Sequence, residues 1–259
     1  MKVDASLSNI ERQERLLRFV QRHTRATVHE LAREFGVSMA TVRRDLDVLV
    51  ERGTVVRFHG GAMAVRQAPP EPPVLQRDAE QAEEKARIGL AAAGLIRDGE
   101  TIFMGSGTTV LAVAKHLHPR RDLTIVTNSL LVLNELAAVP SITVVGLGGL
   151  LRSSEMSLIG HITEQALAEV RVQKIIMGIH AIHVAHGLTN DYLPETMTDR
   201  AILGQGGRVI LVADHTKCGR VSTAFLAPLD AIDTLVTDWG TPQDFIAAVQ
   251  EHQVHVLVV

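Results

Sequence analysis

Ser38-Met-Ala-Thr-Val-Arg-Arg-Asp-Leu-Asp-Val-Leu49 is the stretch on which the reading of the N-terminal region turns. Ser38 suits the first position of a helix, where its hydroxyl accepts an amide that has no partner inside the helix. Val42, Leu46 and Leu49 then recur at the spacing of one buried face. A few residues upstream, Thr27 and Glu30 have the spacing of a capping box, Leu31 and Phe35 face inward, and Gly36 predicts the helix end because glycine enters the left-handed conformation cheaply. Ser8 and Glu11 repeat the capping pattern, and Ile10, Leu16, Leu17 and Val20 form an inward stripe running to about Arg22. Three short helices, the last two separated by a tight turn, predict a helix-turn-helix.

The outward face of the third helix carries Ser38, Met39, Thr41, Arg43 and Arg44 within its first two turns, the part of a recognition helix that reaches base edges and phosphates in the major groove. Arginine can donate two bonds to guanine, and Ser and Thr hydroxyls can bond phosphate or base edges. The plainer alternative is a solvated helix face with one arginine paired to Asp45 or Asp47. After Gly53, Thr54-Val-Val-Arg-Phe58, His59-Gly-Gly61 and Ala62 to Val65 predict a two-stranded wing. It would place Arg57 and His59 near the DNA backbone or minor groove, with Val55 and Phe58 packed inward; His59 also fits a simple turn position.

Charge divides along the chain. Residues 1–66 hold 12 Lys and Arg against 8 Asp and Glu, and the remainder holds 14 against 21, so the net charge of −3 hides a basic N-terminal part. With 46% hydrophobic and only 3% aromatic residues, the core must be built chiefly from Val, Ile, Leu and Ala. The single Cys218 excludes an internal disulfide, residues 1–14 carry charges where a secretion signal needs an apolar run, and aliphatic segments are too short to cross a membrane. A cytoplasmic protein is expected. Gln67-Ala-Pro-Pro-Glu-Pro-Pro73 has four prolines in five residues and predicts a semi-rigid spacer. The expected organisation is a DNA-binding domain over 1–66, a proline-rich linker over 67–79 and an α/β domain over 80–259.

That domain opens with an Ala-rich helix from Glu80 to about Arg97, with Ala82, Ala86, Ala93 and Ile96 inward. Apolar β-branched runs then alternate with helical segments, which predicts a largely parallel sheet. The runs are Thr101–Met104, Thr124–Thr127, Ile142–Leu147, Ile175–Ile179, Val209–Ala213, Thr234–Thr237 and His255–Val259. Ligands of such sheets bind at the carboxyl ends of the strands. There, Gly105, Ser106, Gly107, Thr108 and Thr109 lead into a helix and offer hydroxyls and free amides to an anion. A plain turn with Thr as cap is the alternative. Asn128, the Gly148-Gly149 pair, Asp214 and Lys217 follow other strands and could serve the same anion. His180, His183 and His186 invite a metal reading, but their spacing on a strand and its turn does not place all three on one side, so no metal and no cofactor is expected.

Ser38 to Leu46, Leu49, Gly53 and Arg57-Phe-His-Gly-Gly-Ala62 closely resemble the DNA-binding signature of DeoR-family repressors. The resemblance extends through Gly105 to Thr109, Thr127 to Ser129, Gly148-Gly149, Ser157 to Gly160, His186 to Thr189, Ala213 to Lys217 with Gly219-Arg220, and Thr237-Asp238. It implies a winged helix-turn-helix joined to a sensor domain related to ribose-phosphate isomerase and the CoA transferases. It further implies DNA contact by Ser38, Thr41, Arg43 and Arg44, with Asp45 orienting the helix. A phosphorylated sugar would be held by Ser106 to Thr109, with charge from Lys217 and sugar hydroxyls read by Asn128 and Asp214. One place departs from the pattern: His180-Ala181 stands where relatives tend to have an acidic residue and glycine. The expected protein is a homo-oligomeric repressor of carbohydrate genes, a dimer or tetramer that binds a duplex operator. The competing reading is a sugar-phosphate isomerase with an accessory N-terminal domain, for which Glu195, Asp191 or Asp214 would be the base, but no paired acid and base is evident.

Overall fold

The computed structural model describes residues 8–23, 25–58 and 60–259, and the chain divides into two units, one ending at Gln67 and one beginning at Ala68.

In the first unit, helices Asn9–His23, Val28–Phe35 and Met39–Glu51 form as their caps dictate. Ser8 and Glu11 cap each other reciprocally, as do Thr27 and Glu30, Ser38 accepts from the Thr41 amide at 3.1 Å, and Gly36 adopts φ +65°. Leu16, Val20, Leu31, Val42, Leu46 and Leu49 pack as the core, whereas Ile10, expected inward, is exposed on the first turn. The wing strands Val55–Phe58 and Gly61–Ala64 pair antiparallel, and a short strand not anticipated from the sequence, Arg25–Thr27, adds to Gly61–Ala64. Gly61 permits that addition: a Cβ there would lie 2.4 Å from the Ala26 carbonyl and 2.5 Å from the Phe58 ring.

The second unit is built on a seven-stranded sheet whose pairs are all parallel. Its order is His255–Val258, Thr234–Thr237, Arg208–Val212, Lys174–Met177, Thr101–Met104, Leu123–Thr127, Ile142–Gly146. The seven runs read from the sequence are these strands, with one notable trim: the fourth stops at Met177, so Gly178 and Ile179 belong to the crevice rather than the sheet. Strand order reverses between Thr101–Met104 and Lys174–Met177, which makes a switch point there, and alternate strand residues feed one core on each face of the sheet, Phe103, Ile175 and Leu211 on one and Ile102, Ile176 and Ile210 on the other. A three-stranded antiparallel sheet (Ala181–His183, Gly187–Asn190, Ala224–Ala227) and a hairpin (Leu150–Arg152, Ser157–Ile159) flank it. Helix Ala82–Gly94 buries Lys85, Ile88, Gly89, Ala92 and Ala93 and leaves Ala82 and Ala86 exposed, so its inner stripe is rotated from the one expected. Arg87 of this helix lies 5.6 Å from the ring of Trp239, which is 73% exposed.

The proline run is not a free spacer. Ala68 N donates to Val221 O at 2.8 Å, Val74 N donates to Ser154 O at 2.7 Å, and the Val74 side chain is fully buried. Among the described residues, no helix is long and apolar enough to cross a membrane.

Gly61→Ala should destabilise the first unit by about 2 kcal/mol through overpacking. Urea unfolding of the variant checks this, and an unchanged midpoint would mean the Arg25–Thr27 strand moves aside without cost.

Candidate functional site

On the first unit, Arg43 and Arg44 project from Met39–Glu51 into solvent, and among the described residues neither guanidinium has an ion-pair partner. Asp45, which could have neutralised one of them, is 3% exposed and turned inward. It accepts from Arg12 Nε at 2.6 Å, Arg12 Nη2 at 3.0 Å and Gln13 Nε2 at 3.2 Å, fixing the recognition helix to the first helix. Ser38, Met39 and Thr41 border the same face, with Ser38 occupied as the helix cap and its Oγ 2.9 Å from Thr41 Oγ1. Arg57 departs from its expected role. Its Nη2 donates to Arg43 O at 2.7 Å and to Asp47, so it ties the wing to the recognition helix instead of reaching outward. His59 lies outside the described residues.

On the second unit, a cavity of about 100 Å³ opens at the switch point. The Gly105 amide donates to Ile176 O at 2.9 Å, locking the first strand's exit against its neighbour. Gly107, at φ +106°, is the cap residue of helix Thr108–Lys115, and no side chain caps that helix. This removes the alternative of a plain Thr-capped turn, and the first amides of the helix are left for another acceptor. Gly105, Ser106, Gly107, Thr108, Thr109, Asp214 and Lys217 line the cavity together.

Asn128, Gly148 and Gly149 do not line it. Asn128 Nδ2 donates to Leu158 O at 3.0 Å and pins the Ser157–Ile159 strand. Thr163 Oγ1 donates to Gly148 O at 2.7 Å, and a Cβ on Gly149 would meet that same Oγ1 at 2.1 Å, so the two glycines serve close packing. Asp214 accepts from the Thr216 amide at 2.9 Å and from its hydroxyl, an engagement that shapes the turn carrying Lys217.

Much of the cavity's charge comes from residues that the sequence did not single out. Lys85 is 7% exposed; burial lowers its pKa, opposed by the Asp214 carboxylate, and its Nζ donates to Arg77 O at 2.8 Å. It was visible only as a lysine interrupting an alanine stripe. Arg77 donates to Glu71 and Glu155, and Arg152 donates to Glu195 and to Asp191 at 3.2 Å with its guanidinium 4.7 Å from the Tyr192 ring. Burial raises the Glu155 carboxyl above its ordinary range and lowers His180, which is 9% exposed in the cavity wall. His183 sits elsewhere, fully buried in the antiparallel sheet and lowered to about 4, with His186 beside it at 5.0 Å between ring centroids. Among the described residues, no group of three or more His, Cys, Asp or Glu is placed to hold a metal. Burial pushes the Cys218 thiol up to about 12, so it is not a nucleophile at neutral pH.

A winged helix-turn-helix with unpaired arginines on its recognition helix defines a DNA-binding transcription regulator, here followed by an α/β body with a polar cavity at its switch point. Comparison with known proteins agrees. Residues 12–68 match the DeoR-like helix-turn-helix domain and residues 80–239 match the DeoR C terminal sensor domain. The transcriptional repressor AccR of Agrobacterium fabrum is 34% identical over 90% of this chain and 91% of its own length. The glycerol-3-phosphate regulon repressor of Escherichia coli is 33% identical over 96% of this chain and 98% of its own. Among solved structures, ribose 5-phosphate isomerase A from Methanocaldococcus jannaschii superposes with a TM-score of 0.41 at 15% identity, covering 54% of this chain and 55% of that one. The chain belongs to the DeoR family of transcription regulators.

Asp199 gives the cavity a pH signature. Burial raises it from 3.8 to about 7, against a 2.8 Å hydrogen bond donated by Asn190. The folded state therefore binds its proton more tightly than the unfolded chain, and this stabilisation is full below about pH 4 and lost as pH rises through about 7. Asp199→Asn should remove the loss and raise Tm at pH 8 by roughly 3–6 °C relative to the parent. Thermal unfolding at pH 5 and pH 8 checks it; parallel curves for both proteins would assign the pH dependence to another group.

Proposed function

We propose that the chain is a repressor of carbohydrate-metabolism genes whose second unit senses a phosphorylated sugar. The observation that carries this is the uncapped N-terminus of helix Thr108–Lys115, which opens on a cavity also lined by Lys217, Lys85 and the hydroxyls of Ser106, Thr108 and Thr109. Amides without intrahelical partners, the positive end of the helix dipole and nearby ammonium groups favour a phosphate together. The carboxylates and the Asn190 amide that also line the cavity suit the hydroxyls of a sugar. The Escherichia coli relative, a glycerol-3-phosphate regulon repressor, is consistent with an effector of this class.

The three carboxylates named as bases for the isomerase reading are all engaged. Glu195 is engaged by Arg152 and Ser157, Asp191 by Arg152, and Asp214 by Thr216. The partners of the regulator are thus a duplex operator, a phosphorylated effector and further copies of the chain. Two recognition helices spaced by one or more helical turns, about 34 Å each, would read repeated half-sites, which a homo-oligomer supplies. An effector can alter DNA affinity only by favouring one arrangement of the heads over another.

Arg43→Ala should weaken operator binding about tenfold or more and lower the slope of log affinity against log salt by about 1, with the fold intact. Fluorescence-anisotropy titrations over a range of salt concentrations measure both, and unchanged binding removes Arg43 from the contact surface. Thr108→Asp puts a carboxylate at the phosphate position, so the change in operator binding caused by phosphorylated sugars should disappear; a normal response places the effector elsewhere.

A further inference from the structure

The proline run contains one acidic residue, Glu71, and its carboxylate lies in the cavity wall. It accepts from Lys217 Nζ and Arg77 Nη1, and its Oε1 is 3.7 Å from His180 Nδ1. These three groups come from separate places: Lys217 after strand Arg208–Val212, His180 after strand Lys174–Met177, and Arg77 after the short turn Val74–Gln76. Two of their nitrogens are buried without a hydrogen-bond partner, Arg77 Nε and His180 Nε2, in side chains more than nine-tenths buried. A buried polar nitrogen without a partner is unfavourable, so this corner has hydrogen-bonding capacity beyond what one carboxylate uses.

The charge of the cavity makes the position of Glu71 consequential. Arg77, Lys85, Arg152 and Lys217 face a larger number of lining carboxylates, and each arginine is already held by two of them. A phosphate entering such a space needs cations freed from their present partners. Most of those carboxylates are carried by helices or tight turns, whereas Glu71 sits on an extended segment whose flanking prolines have no N–H to donate. Backbone bonds from Ala68 and Val74 hold the ends of that segment, and the Glu71 carboxylate tethers its middle. Glu71, His180 and Lys217 also line a neighbouring cavity of about 210 Å³ under the segment. Neither space alone reaches the roughly 300 Å³ usual for small-ligand pockets, and Glu71 stands between them.

We propose that Glu71 fills the cationic corner of Arg77, His180 and Lys217 in the free protein, and that the phosphate of the effector, received at the N-terminus of helix Thr108–Lys115, takes Lys217 from Glu71, so that the released carboxylate leaves the corner, joins the two cavities and unpins the segment Ala68–Pro73. The proposal rests on the effector reading above and gives it a route: the segment follows Gln67 directly, so the exchange of one anion for another acts on the stretch of chain that leads out of the DNA-binding unit.

The test uses the full chain with inorganic phosphate as probe. Isothermal titration should show Glu71→Gln binding phosphate about tenfold more tightly than the parent, because the competing charge is gone and the side-chain size is kept. Hydrogen exchange of the amides of Ala68 and Val74, both hydrogen-bonded in the free protein, should accelerate in the parent on adding phosphate, relative to chloride at equal ionic strength, and should already be fast in the variant. Equal or weaker phosphate binding by Glu71→Gln, or exchange in the parent that phosphate leaves unchanged, overturns the displacement. The exchange arm needs only the parent, so it decides even if the variant folds poorly. If parent and variant bind phosphate alike and Thr108→Asp abolishes both, the effector reading stands and this inference falls; if neither binds at millimolar phosphate, both fall.

Discussion

The second unit depends on one pairing, the parallel alignment of Thr101–Met104 with Lys174–Met177, in which Ile102, Phe103 and Met104 lie opposite Lys174, Ile175 and Ile176. The chain builds outward from that pair in both directions, so the two strands end side by side with their following loops diverging. Divergence opens the crevice, and the Gly105 amide bonded to Ile176 O keeps its floor closed. The register starts with Lys174, whose Nζ donates to the Leu95 carbonyl and to Glu100 at 2.6 Å, so the helix before the first strand is held to the same pair. Sheet order, helix entry and cavity position are consequences of a single alignment.

Much of this was legible because it is local. Capping residues announce helix starts through bonds spanning three positions, and β-branched runs bounded by Gly or Asn announce buried parallel strands. Hence the head and all seven strands of the main sheet could be read from residues alone. What escaped was non-local or offset by a fraction of a turn. Arg25–Thr27 becomes a strand only because Gly61 lets it approach, and the antiparallel sheet joins residues 181–190 to residues 224–227 across an intervening helix and strand. The helix Ala82–Gly94 has too many alanines to fix its own rotation, so the inward face of Lys85 was hidden until the packing was known.

The cavity was half legible for a related reason. Glycines and hydroxyls after a strand can be read as an anion cradle, but the ionic groups that complete it come from a proline segment, a helix and a hairpin far apart in sequence. Asn128, Gly148 and Gly149 illustrate the opposite error. They sit after the expected strands, yet their backbone and amide groups are used in holding the hairpin Leu150–Ile159 and its neighbouring helix. Arg57 is similar: a basic residue in a wing is poised for phosphate until Asp47 and the Arg43 carbonyl claim it.

Trp239 is the single tryptophan of the chain, and it lies in the second unit, largely open to water and beside Arg87. Emission excited selectively in the indole band therefore originates wholly outside the DNA-binding unit. Because Arg87 is two residues from Lys85 on the same helix, the fluorophore reports on an element of the cavity wall without any label having to be attached.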